Sequence, residues 1–155
     1  MGIFDRFKRA FTPPRMSHSR FGDMTLMEFK DGKNSYWEGY DQFRPAGRRV
    51  EVLIEGDASG PFAESIATWD AIQDRYPELR PALEKLLHSA YADWIPDAEP
   101  NAGRGRFALD TVYVPRNPLE SDSWSLSYSC LDDEEHSFTI EMKGWAPQGD
   151  ERIDG

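Results

Sequence analysis

Cys130 and His136 are the side chains best suited to covalent chemistry, and Asp132, Asp133, Glu134 and Glu135 lie between them. A thiolate and an imidazole can serve as nucleophile and base. Asp132, Asp133 and His136 also carry the donor types of a metal site. The surrounding pattern favours a plainer role. Trp124, Leu126, Tyr128 and Cys130 alternate with Ser123, Ser125, Ser127 and Ser129, which turns Cys130 toward a core as a small apolar residue. Four acids at a hairpin tip read as a solvated turn. His18 and His88 have no ligand-like spacing, and His88 reads as a surface or helix-end residue. The sequence has no Gly-rich phosphate loop, serine nucleophile elbow or His-Glu metalloprotease pair. No catalytic residue, cofactor or metal is therefore expected. An enzyme of unrecognised type using Cys130 and His136 remains the alternative.

The elements around these residues read as strands flanking a helical centre. Residues 21–30, 35–43 and 49–55 are strand-like, separated by Asp31-Gly32-Lys33-Asn34 and Pro45-Ala46-Gly47. Val50, Val52 and Ile54 point one way, and Glu51 and Glu55 the other. Ser59 is placed to cap a helix and Pro61 suits its first turn. Phe62, Ile66, Trp69, Ile72 and Tyr76 form one apolar stripe; Leu83, Leu86, Leu87, Ala90, Tyr91 and Trp94 form a second. Pro77 and Pro81 between them predict two helices or one kinked helix. Residues 107–114 are a strand, and 124–130 pairs with 138–143 as a hairpin with one apolar and one wet face. Residues 145–155 read as a polar tail. The expected fold is α+β: an antiparallel sheet of two three-strand meanders flanking a central helical segment, with helices over one face. Its domain spans 21–155.

The first twenty residues differ from the rest. Arg6, Lys8, Arg9, Arg15 and Arg20 against Asp5 give them a charge of +4; the whole chain carries −10, so the remainder carries −14. Ile3, Phe4, Phe7, Ala10 and Phe11 fall on one helical face, and Thr12-Pro13-Pro14 ends the helix. Residues 1–20 thus read as a basic amphipathic arm and polar linker. The arm could dock through Ile3, Phe4, Phe7 and Phe11 on the acidic body or a partner subunit, or lie on a membrane surface through residues 1–11. Arg6 stands where myristoylation needs Ser or Thr. The acidic body repels phosphates, so nucleic acid is not an expected partner. The single cysteine, the lack of a bilayer-length apolar run and the lack of a secretory signal give a cytoplasmic expectation.

Tyr36 and Trp37 offer either an exposed aromatic surface or one residue to each face of a strand. Phe21-Gly22, Tyr36-Trp37-Glu38-Gly39, and Val50-Glu51-Val52 through Gly60-Pro61 resemble the opening of small bacterial domains of unknown function, some of them immunity-protein-like. The resemblance covers roughly 21–155 and implies a bacterial origin and a fold, with no catalytic set. The functional expectation is a non-enzymatic, immunity-like protein-binding domain whose acidic surface meets a basic protein. Asp132, Asp133, Glu134, Glu135, Glu51 and Glu55 are its candidate contacts. A peripheral membrane adaptor acting through the arm is a further alternative.

Overall fold

The structure, a computed structural model, describes residues 12–28, 35–94, 107–120, 124–131 and 133–154. The strands are β1 (Arg15–His18), β2 (Gly22–Glu28), β3 (Ser35–Phe43), β4 (Arg48–Asp57), β5 (Gly60–Pro61), β6 (Phe107–Val114), β7 (Trp124–Cys130), β8 (Asp133–Lys143) and β9 (Ala146–Asp154). One long helix, α1 (Ala63–Trp94), lies between β5 and β6. The sheet order is β1-β2-β3-β4-β6-β7-β8-β9, with β5 pairing back on β4. The chain is thus α+β, with one large sheet and one long helix.

Several details correct the sequence reading. The two expected sets of three strands become two sets of four. Residues 15–18, read as linker, pair with β2, so the sheet starts before position 21. The polar tail is β9, paired with β8. The sheet is not wholly antiparallel, because β4 and β6 run parallel. The cause is the helix: a helical crossover returns the chain to the end of the sheet where β4 began. Ser59 does not cap α1; it bonds back to Asp57 in the turn before β5. The helix expected over residues 1–11 lies outside the described residues.

Pro77 and Pro81 sit inside α1, which runs through both. Spaced four apart, they share one face, and both are exposed. Pro77 deprives the carbonyl of the buried Gln73 of its N–H partner, and Pro81 that of the exposed Pro77. The opposite face supplies what propensity does not: Trp69, Ile72, Leu83, Leu87 and Tyr91 are buried against the sheet. The facing strand residues are Trp37, Val52, Ile54, Val112, Leu126, Phe138 and Ile140.

Residues of the Tyr36-Trp37-Glu38-Gly39 stretch build this packing. Trp37 is buried and donates its indole N–H to the Asp57 carbonyl at 2.8 Å. A Cβ at Gly39 would meet Met24 Cε at 2.9 Å and Phe21 Cβ at 3.1 Å, so glycine there admits both side chains. Tyr36 faces the other way, with Trp37 in the core and Tyr36 outside it.

A polar clamp fixes the helix to the sheet. Trp69, fully buried, donates its indole N–H to Asp41 at 2.7 Å. Arg20 bonds the same carboxylate at 2.8 Å and reaches Asp70 at 2.7 Å. At the other end of the sheet, Arg75 of α1 stacks on Trp145 at 4.3 Å. Asp70 and Arg75 point to different sides of the helix, so the sheet closes over α1 from both flanks. Asp41→Ala strands the indole N–H and is expected to cost about 1–3 kcal/mol in urea unfolding. The double variant D41A/W69F should cost less than the two singles summed. Strict additivity would show that the clamp does not couple strand to helix.

Candidate functional site

All of α1 lies on one side, so the residues alternating with the core project from a face that no other described element covers. Across it run two rows in register. Tyr40, Glu51, Thr111, Ser127 and Thr139 form one; Glu38, Leu53, Tyr113, Ser125 and Glu141 form the next. Short hydroxylated side chains fill the β7 and β8 side, and acids with tyrosines fill the β3, β4 and β6 side.

The acids are held by hydroxyls. Thr111 donates to Glu51 at 3.0 Å. Tyr113 donates to one oxygen of Glu55 at 3.1 Å, and the Arg116 backbone N–H donates to the other at 2.8 Å. The Tyr36 and Tyr113 rings meet edge to face at 5.8 Å, spanning β4 above Glu55. Arg49, on the same face, stacks over Tyr40 at 4.6 Å. Burial, and then the charge of Glu51, hold Glu38 above the usual carboxylate range. Burial, and then Glu38 and Glu51, raise the Tyr36 hydroxyl. Burial, and then Glu55, raise Tyr113. The group is a set of acceptors with aromatic walls, in which Glu38, opposite Leu53, lies diagonal to Glu51 and Glu55.

Of the sequence candidates, the structure brings Glu51 and Glu55 together on this face. It adds Glu38, Tyr36, Thr111 and Tyr113, which the sequence reading did not select. Alternation marks Glu38 as opposite to Trp37, but only the register shows that it lies beside Leu53, between Glu51 and Glu55. Asp132 lies outside the described residues; Asp133, Glu134 and Glu135 belong to the first residues of β8. Ile3, Phe4, Phe7 and Phe11 lie outside the described residues.

Cys130 is 1% exposed, within the core cluster, and lines neither described hollow of the surface. His136 is half-buried on β8. His88 is not the surface residue expected: it is half-buried beside Phe107, and its Nε2 has no hydrogen-bond partner. Among the described residues no three His, Cys, Asp or Glu side chains group closely enough for a metal ion. Among the same residues no helix is long and apolar enough to cross a membrane.

No protein-family model matches the chain, and no curated protein or solved structure matches it significantly.

Two outcomes follow from this geometry. Glu38 binds its proton more tightly folded than unfolded. Its ionised form therefore opposes folding at neutral pH, and the penalty disappears in acid. Glu38→Gln should stabilise the protein at pH 7 by roughly 0.2–1 kcal/mol, with no difference near about pH 3. Destabilisation at pH 7 in urea melts would show that the charge is compensated. Cys130 should react with Ellman's reagent only on unfolding; complete reaction of the native protein within minutes would place the thiol at the surface.

Proposed function

We propose that this chain is a non-enzymatic, immunity-like binding protein that presents the open acidic face of its sheet to a basic protein, in a cytoplasmic setting. The observation that carries this reading is the placement of Glu38, Glu51 and Glu55 on adjacent positions of that face. Tyr36, Tyr40 and Tyr113 lie among them. Lysine and arginine side chains are the matching chemistry: carboxylates take their hydrogen bonds, and tyrosine faces take their charge.

The chain's −10 extends the same sign beyond the contact. Such a field speeds encounter with a cationic partner and makes it salt-sensitive. The resemblance of roughly residues 21–155 to small bacterial domains of unknown function, some of them immunity-protein-like, is in keeping with this reading. The acidic residues 132–135, of which Asp133–Glu135 begin β8, form the second candidate contact.

The test is affinity capture from host extract at about 50 mM and about 500 mM salt. Three baits are compared: the unaltered chain, E38K/E51K/E55K, and a variant with positions 132–135 changed to lysine. The expected result is a basic protein retained by the unaltered chain at low salt, released at high salt, and lost with the face variant. Retention by the face variant together with loss by the 132–135 variant would move the contact to the hairpin. Equal retention by all three would contradict an acidic contact.

A further inference from the structure

On the helix side of the sheet, a cavity of about 400 Å3 lies beside the parallel pair β4 and β6. Its walls are the second half of α1, the turn at Pro45 and Ala46, the start of β6, and Tyr128 of β7. The topology explains the space. β4 and β6 are joined through the helix, not by a hairpin, and their pairing runs from Glu51 and Thr111 onward. Upstream, a bulge between Leu109 and Thr111 breaks the register of β6 with β7. Bulges of this kind re-aim a strand and recur beside binding sites. Leu83 and Leu87 of α1 line the resulting gap without filling it.

The polar groups on this cavity are mostly donors. Tyr76 and Tyr128 bond hydroxyl to hydroxyl at 3.0 Å. Two hydroxyls carry two protons and that bond uses one, so one proton is left for another acceptor. Tyr128 is 3% exposed, too buried for bulk water to serve it freely. His88 lines the same cavity with an unpartnered, buried Nε2. Unmatched polar atoms this deep are costly, and they mark places where a ligand atom belongs. Arg48 and Arg80 stand at the rim. Each has a carboxylate partner, Asp110 at 3.1 Å and Glu84 at 2.8 Å, but both pairs are largely exposed. Exposed pairs are weak and can re-aim. Each rim arginine is thus matched by one carboxylate, and a ligand anion would compete with Asp110 and Glu84 for them.

We propose that this cavity binds a small organic carboxylate with an apolar, aromatic or branched aliphatic body. The body packs on Leu83, Leu87, Phe107 and Leu109. The carboxylate accepts from the spare tyrosine proton and from Arg48 and Arg80. The volume falls in the range of small-molecule sites, and the mixture of apolar walls with a few convergent polar groups is theirs too.

The full chain, labelled for amide NMR, is titrated with benzoate, 3-phenylpropionate and indole-3-acetate, each up to about 10 mM. Benzyl alcohol, 3-phenylpropanol and tryptophol serve as uncharged matches. The expected result is saturable shifts at residues 83–88 and 107–109 from at least one acid, with its alcohol at least tenfold weaker. R48A/R80A should weaken that acid about tenfold and leave the alcohol unchanged, as loss of charge-assisted bonds requires. Leu83→Phe should fill the space and abolish the shifts; if it does not fold, Leu87→Phe fills it from the next turn of the helix. No saturable shift from any acid, shifts centred on Glu38, Glu51 and Glu55, or equal binding of acid and alcohol would overturn the proposal.

Discussion

One helix cannot cover both faces of an eight-stranded sheet. Eight strands about 4.8 Å apart span roughly 34 Å, while a helix with its side chains is about 10–12 Å wide. The fold accommodates this by closing both flanks over α1, through Arg20 and Asp70 on one side and Arg75 and Trp145 on the other. Most of the large apolar side chains then point to the helix side, with Leu53 an exception on the open face. Every position alternating with them must tolerate water. Threonine, serine, glutamate and tyrosine occupy those positions, and they bond one another across strands, as Thr111 does with Glu51 and Ser127 with Thr139. The open face is thus what the one described helix leaves uncovered, and its acidity is what distinguishes it from a merely solvated surface.

The parallel seam between β4 and β6 joins the two sides of the molecule. Outward it presents Glu51, Glu55, Thr111 and Tyr113; inward its upstream end borders the donor-lined cavity. It is also the only described junction between the two sets of strands, since each set pairs in sequence order on its own. The aromatic and glycine motif of residues 36–39 and 50–61 lies mostly beside it. Trp37, Gly39 and Gly60 serve packing, at positions where an indole, a close approach or a positive φ is needed. That motif therefore encodes the fold, while the chemistry sits on the residues that alternate with it.

Most of the strands were legible because alternation is strong wherever one face is buried. Val50, Val52 and Ile54 fix the direction of Glu51 and Glu55 without any structure. β1 and β9 were not legible, for a physical reason. They are the sheet edges, and edge strands are short or carry charge, proline and glycine to discourage further pairing. Residues 146–154 include Pro147, Gly149 and four charged side chains, so they read as a tail. The helix was legible from its stripes, but its continuity through Pro77 and Pro81 depends on tertiary packing that local propensity omits. The site was half legible. Tyr113 meets Glu55 across a pairing of strands almost sixty residues apart in the chain, and only the register reveals it. His88 was misread because nothing local shows that Phe107 packs beside it.

The most direct measurement is solvent exposure of the sheet's two faces in the intact chain, read by paramagnetic relaxation from a neutral gadolinium chelate. Methyl groups of Leu53 and Thr111 report the open face; those of Val52 and Val112, on the same two strands, report the helix side. Strong relaxation of the first pair and protection of the second is the expected result. Equal protection of both pairs would mean that the acidic face is covered and is not available to a partner.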